Sequence, residues 1–452
     1  MTSLLRRLHM WMVLMSAVVL FSAEAHAQPR LQAGQPVGFG VNGFHLYSAT
    51  ASAGYFSSAL GNGGSALPGL GSDWLGTAGV NAGYSYISTK GAFGIDYSPG
   101  YTARVRYSNL DFFNQSLNLH WLTRFNTKWE LSFSGTASDS SVETYLFNSA
   151  GLGSIVSNST GDTLNPTLSS GSGAALSPAQ LIVYGGRVRT TGTGLALVWR
   201  PTTRLRVSWD ANGSLAETKY NSSTVIATVP RYISGVGGIT LDYSVSPNTN
   251  IGTRLTYDYT HSPFTNYDYS LASAYLDQKL GQHWFTSLSG GPGHIRNRTR
   301  GTTLESWSYD ASGALGYRFR QTILAGTYRR RLGDTTGLGS LHSDDYDGAW
   351  SHWSRNMAWM LHASAGKQKY SGGTIPGFGT TYASGSITRS LKRQLSVGLE
   401  YSFIRYGAAT TPTDFQIGRV TLTWIPLLRD TPPLLNGGPK GGLDPNGADD
   451  KP

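Results

Sequence analysis

Residues 204–215, RLRVSWDANGSL, decide the fold because apolar and polar side chains alternate along them. One set is apolar and consists of Leu205, Val207, Trp209, Ala211 and Leu215. The other set is polar and consists of Arg206, Ser208, Asp210, Asn212 and Ser214. A period of two residues is typical of a β-strand, whereas a helix would scatter each set around its circumference. The segment is therefore predicted to be a strand with one apolar and one polar face.

The same alternation recurs along the chain as hairpins. It continues through residues 239–245, 251–259, 307–319 and 395–403. Short turns are predicted at 126–127, 201–203, 246–249, 280–282, 320–321, 354–356 and 391–393, and the largest of the intervening loops spans about 139–186. Strands of about ten alternating residues, joined by short turns at one end and long loops at the other, are typical of transmembrane β-barrels.

The hairpins set the expected number of strands. Seven hairpins give about fourteen strands, and residues 79–88, 91–107 and 415–424 add three. A further strand around 37–48 makes the number even, as single-chain bacterial barrels require. We therefore predict an all-β fold, a single antiparallel transmembrane β-barrel of about 18 strands, with 16 as the alternative.

Composition limits the class of protein. The chain has no cysteine, which excludes disulfides, thiolate chemistry and Cys-ligated metals, and only 14% of its residues are charged, against about a quarter in soluble domains. Beyond the N-terminus no apolar run is long enough for a membrane helix, so a membrane location requires a closed barrel. The net charge of +10 is dispersed, and nucleic acid is not expected as a partner.

The chain divides into four predicted segments. Residues 1–27 have the charge, apolar core and Ala25-His26-Ala27 site of a cleaved signal peptide. Residues 28–72 form an N-terminal segment that includes the proposed first strand, and 73–425 form the barrel. Residues 426–452, rich in Pro, Gly and Asp, are predicted to be a disordered periplasmic tail.

Tryptophans cluster beside the predicted short turns: Trp129, Trp199, Trp284, Trp353, Trp359 and Trp424. Tryptophan prefers the headgroup level of a membrane, where the ring is apolar and its N–H reaches water. We therefore predict that these residues form an aromatic girdle on the periplasmic side.

With this pattern the chain resembles Gram-negative outer-membrane β-barrels in general over most of its mature length. The resemblance implies an outer-membrane location after export, periplasmic turns, extracellular loops, and contact with the barrel-insertion machinery and with outer-membrane lipids. Many such proteins end on an aromatic residue, whereas here a tail follows Trp424. The segment 420–424 is predicted to act as an internal insertion signal.

The preferred function is passive passage of small hydrophilic solutes through a water-filled channel, since a barrel of this width is not filled by its own side chains. The charged residues predicted to face the lumen are Arg104, Arg106, Arg124, Glu130, Arg204, Arg206, Asp210, Asp242, Arg254, Asp258, Asp310, Arg318, Glu400 and Arg419. Because arginine leads in this set, weak anion preference is expected. A surface-anchoring or polysaccharide-export barrel is the alternative, and a homo-oligomer remains open.

An enzyme is not expected, and no catalytic, cofactor or metal site is assigned. The third alternative, a barrel hydrolase, depends on His342, Asp344, Asp345 and Asp347, which are predicted to lie in an external loop, or on serines near His261, His283 and His352. Two basic segments are predicted at the outer end of the barrel, where arginine forks would contact lipopolysaccharide phosphates: Arg296, Arg298 and Arg300, and Arg329, Arg330 and Arg331.

Overall fold

The computed structural model describes residues 42–57, 72–106, 108, 111–141, 187–219, 231–263, 266–299, 302–334, 340–354, 358–371, 378–391, 394–407 and 412–426. The predicted signal peptide, most of the loop at 139–186, Arg300 and nearly all of the C-terminal tail lie outside these ranges. Within them, no helix is both long and apolar enough to cross a membrane.

The described residues form 18 strands. They are β1 (Gly43–Phe56), β2 (Asp73–Ile87), β3 (Gly91–Arg104), β4 (Phe112–Arg124), β5 (Trp129–Ser141), β6 (Arg187–Trp199), β7 (Leu205–Lys219), β8 (Tyr232–Ser246), β9 (Thr249–His261), β10 (Asn266–Leu280), β11 (Trp284–Thr299), β12 (Thr302–Phe319), β13 (Thr322–Asp334), β14 (Ser340–Trp353), β15 (Trp359–Ser371), β16 (Phe378–Ser390), β17 (Leu395–Gly407) and β18 (Pro412–Trp424). The first strand begins later than the predicted range of 37–48.

Each strand pairs antiparallel with the next, and β1 pairs with both β2 and β18. The pairing of Ala49 with Trp424 and of Phe56 with Ile417 joins the ends of the sheet. Closure leaves no unpaired edge, so the backbone groups of the wall are satisfied in lipid. The predicted fold, an 18-stranded antiparallel barrel, is confirmed.

The two ends of the barrel differ. Eight short connections lie at one end: 88–90, 125–128, 200–204, 247–248, 281–283, 320–321, 354–358 and 391–394. The opposite end carries nine connections of unequal length, from 142–186 down to 300–301. From the sequence, His294, Arg296, Arg298 and Arg300 are expected to form a basic loop; this is wrong for the first three, because β11 continues to Thr299.

Exposure distinguishes the outer face of the wall from the inner one. On β9, Ile251, Thr253, Leu255 and Tyr257 are exposed, whereas the alternate residues 252, 254 and 256 are half-buried. Side chains diverge on the convex side of a barrel and converge on the concave side, so the more exposed set lies outside. The outer face is accordingly rich in large apolar residues, and the inner face is polar.

Several aromatic rings on the inner face lie flat against the wall. A Cβ on Gly316 would collide with the ring of Phe285, one on Gly252 with Tyr275, and one on Gly366 with Tyr382. In each case the glycine is the direct cross-strand partner of the aromatic residue. Glycine thus provides the space in which an inward ring packs on the sheet, a known device for stabilising such glycines.

Candidate functional site

The candidate site is the inner wall, where charged residues from neighbouring strands pair. On β7–β9, Arg206 lies 3.9 Å from the carboxylate of Asp242, and Arg254 lies 3.7 Å from Asp210. The register pairs Arg206 directly with Asp242. Asp210 and Arg254 lie an even number of residues from paired inward positions on their own strands, so all four side chains share the inner face. The arrangement places opposite charges side by side on one patch of wall.

A second pair lies across the barrel from this patch. Arg419 on β18 forms an ion pair with Glu400 on β17, its direct cross-strand partner. In a ring of 18 strands, β18 is half the circumference away from β9. Charged pairs on opposite walls create a transverse field that would orient a dipolar solute between them.

Ion pairs also mark both ends of the inner wall. At the turn end, Glu130 accepts a hydrogen bond from Arg124 at 3.0 Å and lies 3.4 Å from Arg200. At the loop end, Arg104 lies 3.7 Å from Asp73, and both side chains are buried. The carboxylate of Asp73 also accepts hydrogen bonds from the backbone N–H groups of Trp74 and Arg106, which fixes the end of β3 to β2.

The strand register places most of the predicted lumen residues on the inner face. These are Arg104, Arg124, Glu130, Arg206, Asp210, Asp242, Arg254, Asp258, Asp310, Arg318, Glu400 and Arg419. Arg106 and Arg204 lie just beyond strands, after β3 and before β7 respectively. Contact of any of these residues with a solute remains a prediction.

The acidic cluster around Asp345 lies in β14, which corrects its assignment to an external loop. The basic run Arg329–Arg331 lies in β13, where Arg329 and Arg331 face inward and not toward lipopolysaccharide as predicted. Consecutive residues on β13 and β14 point to opposite faces. Arg331 thus pairs inside with Asp345 at 3.7 Å, whereas Arg330 pairs outside with Asp344 at 3.6 Å. Tyr346 and Trp350, at even-numbered positions of β14, both face outward. Because alternate residues of a strand face opposite sides, this pattern in the sequence could have predicted that Asp345 faces inward.

Further charged residues of the inner face were missed: Asp73, Asp96, Asp277, Lys279, Arg329, Arg331, Asp345 and Asp347. Most of them are acidic. Within the described strands, carboxylates on the inner face therefore slightly outnumber basic side chains, the reverse of the balance expected from the sequence.

The inner wall also contains a serine, a histidine and a carboxylate in one row. Ser351 Oγ lies 2.9 Å from His362 Nδ1, and the register continues through Ser386 to Glu400. Ser351 is only 2% exposed. A hydroxyl so covered offers no approach to a substrate, and the bond joins β14 to β15. Among the described residues, no group of three or more His, Asp or Glu is arranged to hold a metal ion.

Five of the six predicted girdle tryptophans lie on the outer face at the turn end: Trp129, Trp199, Trp284, Trp359 and Trp424. Trp129 stacks on Trp199 with ring centroids 5.7 Å apart. Trp353 is the exception, because it follows Trp350 by three residues and therefore falls on the inner face opposite Met360.

No protein-family model and no curated protein sequence matches this chain. Among solved structures, it is similar to Pseudomonas aeruginosa OccK2 (OpdF) in complex with glucuronate, with 13% identity, a TM-score of 0.45, and coverage of 84% of this chain and 98% of that one. Pseudomonas aeruginosa OccK5 (OpdH) is 11% identical with a TM-score of 0.44, covering 87% and 100%. Acinetobacter baumannii OccAB4 is 12% identical with a TM-score of 0.44, covering 85% and 98%. These similarities are too distant to transfer a ligand to this chain.

Proposed function

We propose that this protein is an outer-membrane channel for the passive passage of small hydrophilic solutes. The observation that carries the proposal is the closed 18-stranded wall with an apolar outer face and an inner face of serines, threonines, glycines and paired charges. Only a lipid surface outside and water inside satisfy both faces at once.

The packing of the inner face supports an open lumen. At this strand number the interior is wider than the side chains of the wall can fill. Inward rings such as Phe285 and Tyr275 lie on cross-strand glycines instead of standing away from the wall. Polar groups thus remain available to a passing solute along the wall.

The charge balance of the inner face predicts weak ion selectivity. Most inner arginines have a carboxylate within salt-bridge distance, as Arg254 has Asp210 and Arg331 has Asp345. Exposed charges are screened over about 8 Å at physiological salt. The slight excess of carboxylates makes us expect a small cation preference in place of the anion preference expected from the sequence, and the reversal potential under a salt gradient measures it.

Single-channel conductance of the full chain in a planar bilayer tests the proposal. We expect discrete conductance steps, and we expect the double variant Asp210→Asn/Arg254→Gln to change their size or ion preference. The double variant Arg405→Gln/Asp414→Asn removes an ion pair of the outer face and is the matched control, with no expected change. If protein that has inserted as a heat-modifiable barrel gives no steps, the channel is refuted and the anchoring alternative is favoured.

A further inference from the structure

We propose that the outer face of β9–β12 binds a phosphorylated lipid of the outer leaflet, lipopolysaccharide, with its headgroup on Arg296 and Arg298 and an acyl chain in a trough below them. This inference uses the outer-membrane location of the proposed function, and it is independent of whether the barrel conducts solutes.

The trough is a depression two strands wide. Its floor consists of the small outward residues Ala272 and Ala274 on β10, of which Ala274 pairs with Gly290 on β11, and of Pro292, which follows Gly290 on the same face of β11. Such residues leave a gap between large side chains of the flanking strands.

Two walls enclose the floor. Leu255 and Tyr257 on β9 are 56% and 51% exposed and pair with Ala272 and Ser270. Tyr309 and Trp307 on β12 are 52% and 76% exposed and pair with Pro292 and His294. With neighbouring strands about 4.8 Å apart, the walls are separated by roughly 14 Å, enough for one or two acyl chains.

The loop end of the trough is polar. A cavity of about 390 Å³ opens there, and its lining includes His294, Arg296 and Arg298 together with the carboxylates of Asp268 and Glu305. The cross-strand rows Tyr259–Asp268–Arg296–Glu305 and Tyr257–Ser270–His294–Trp307 bring these side chains together on the outer face. The cavity is thus the upper continuation of the apolar trough.

Both arginines are held by carboxylates yet keep free donors. Arg296 Nε lies 3.1 Å from Glu305, and Arg298 lies 3.9 Å from Asp268, whose carboxylate also accepts a hydrogen bond from the Tyr257 hydroxyl at 2.7 Å. A guanidinium has five N–H donors, so these contacts orient each arginine side chain and still leave other N–H groups to donate to a ligand. Arginine forks match phosphate oxygens in a bidentate manner.

The position of the polar cavity above the apolar trough indicates which ligand binds there. Polar, arginine-bearing residues lie toward the loop end and small apolar residues lie toward the membrane centre, as the headgroup and chain of an outer-leaflet lipid are arranged. A second copy of this chain would not require phosphate-binding groups above an apolar floor. The surface therefore matches an outer-leaflet lipid in polarity, and Arg296 and Arg298 present N–H donors to a phosphate while Glu305 and Asp268 balance their charge.

Lipid retention by the purified full chain tests the inference. Native mass spectrometry after incubation with lipopolysaccharide should show a bound lipid, and phosphatidylcholine at the same concentration should not compete. The double variant Arg296→Gln/Arg298→Gln should bind at least about tenfold more weakly, since each lost charge-assisted hydrogen bond is worth about that factor. Ala272→Leu, which raises the trough floor at an exposed position, should also weaken binding.

Arg405→Gln is the matched control, because Arg405 is an outward arginine at the loop end, paired with Asp414 at 2.7 Å on other strands. Equal loss of lipid in this variant, or undiminished binding in Arg296→Gln/Arg298→Gln, would overturn the inference. A change of oligomeric state in place of lipid loss would overturn it as well and indicate a second copy on this surface. Lipid binding by a barrel that gives no conductance would reject the proposed channel alone.

Discussion

Strands β8–β9 and β10–β11 are neighbours in one wall. Their large side chains nevertheless lie on opposite faces near the loop end: outward on β8–β9 and inward on β10–β11. On β8–β9 the large residues, such as Leu241 and Leu255, face outward and are about half exposed. On β10–β11 the large residues Tyr267, Tyr269 and Ile295 face inward and form a buried cluster. In the half of these strands nearer the loops, small residues such as Ala272 and Ala274 occupy the outward positions, whereas Leu280, Trp284 and Leu288 face outward in the half nearer the turns.

The comparison shows that side-chain size alone does not reveal which face of a strand meets lipid. The outer surface accepts either large apolar residues or a groove that another molecule can fill. The inner surface accepts large rings where glycines give them room, as Gly293 does for Tyr269. The phase of a strand is set by its hydrogen-bonded neighbours.

The largest expected effect is removal of an inward ring. Tyr267 is fully buried, so Tyr267→Ala should lower the free energy of unfolding by about 3–5 kcal/mol through loss of packing and the cavity left behind. Tyr243→Ala on the outer face of β8 should cost less than half as much, because mobile lipid chains refill the space. Urea unfolding of both variants in lipid vesicles measures the two losses in free energy of unfolding. Equal losses would contradict the inward orientation of Tyr267 on β10.

A charge on the apolar outer face should have the next largest effect. Leu241→Arg is expected to cost about 2–4 kcal/mol near the bilayer midplane. Its neighbour on the inner face provides the control, since Asp242→Asn should leave assembly intact. The yield of heat-modifiable barrel and the unfolding midpoint are measured for both variants. If the two substitutions have similar effects, the assignment of Leu241 to the outer face and Asp242 to the inner face of β8 is refuted.

Gly316 tests the packing of rings on glycines. Gly316→Val should displace the Phe285 ring, which covers this position, and cost about 1–3 kcal/mol as overpacking does. A displaced ring would also narrow the lumen and reduce conductance. Gly418 has no heavy atom within 4 Å of an added Cβ, so Gly418→Ala should change neither property. Unchanged stability and conductance in Gly316→Val would exclude the proposed role of the glycine.

The smallest effect concerns ion preference. Arg254→Gln removes an inner positive charge beside Asp210 and should shift the reversal potential toward stronger cation preference. Screening in a wide lumen limits the shift. Arg405→Gln on the outer face should leave the reversal potential unchanged, and a shift of the same size there would show that external charges control selectivity.

Regular strands of the wall could be predicted from local alternation. Leu205 through Leu215 alternate so regularly that period two alone gives the strand and its faces, and short turns with Asn, Pro or Gly delimit the hairpins. Counting alternating segments gave about seventeen strands, and the rule that such barrels have an even number of strands led to 18, with 16 as the alternative. The inner positions of Arg206, Asp242 and Glu400 follow from the same pattern.

The sequence alone determined the β-class, a closed barrel of about 18 or 16 strands and the faces of strands with large apolar residues outside, because these depend on local periodicity and on the need to satisfy backbone groups in lipid. Only the tertiary structure decided which residues of β10 face outward, the division of Arg330 and Arg331 between two faces, and the depression of small residues on the outer face of β10–β11. The phase of β10 and the inner ion pair of Arg331 depend on residues of the neighbouring strand two positions from the direct partner, as Gly293 gives room to Tyr269 and Asp345 pairs with Arg331. Cross-strand partners lie far apart in the chain, and their pairing becomes defined only when the sheet closes.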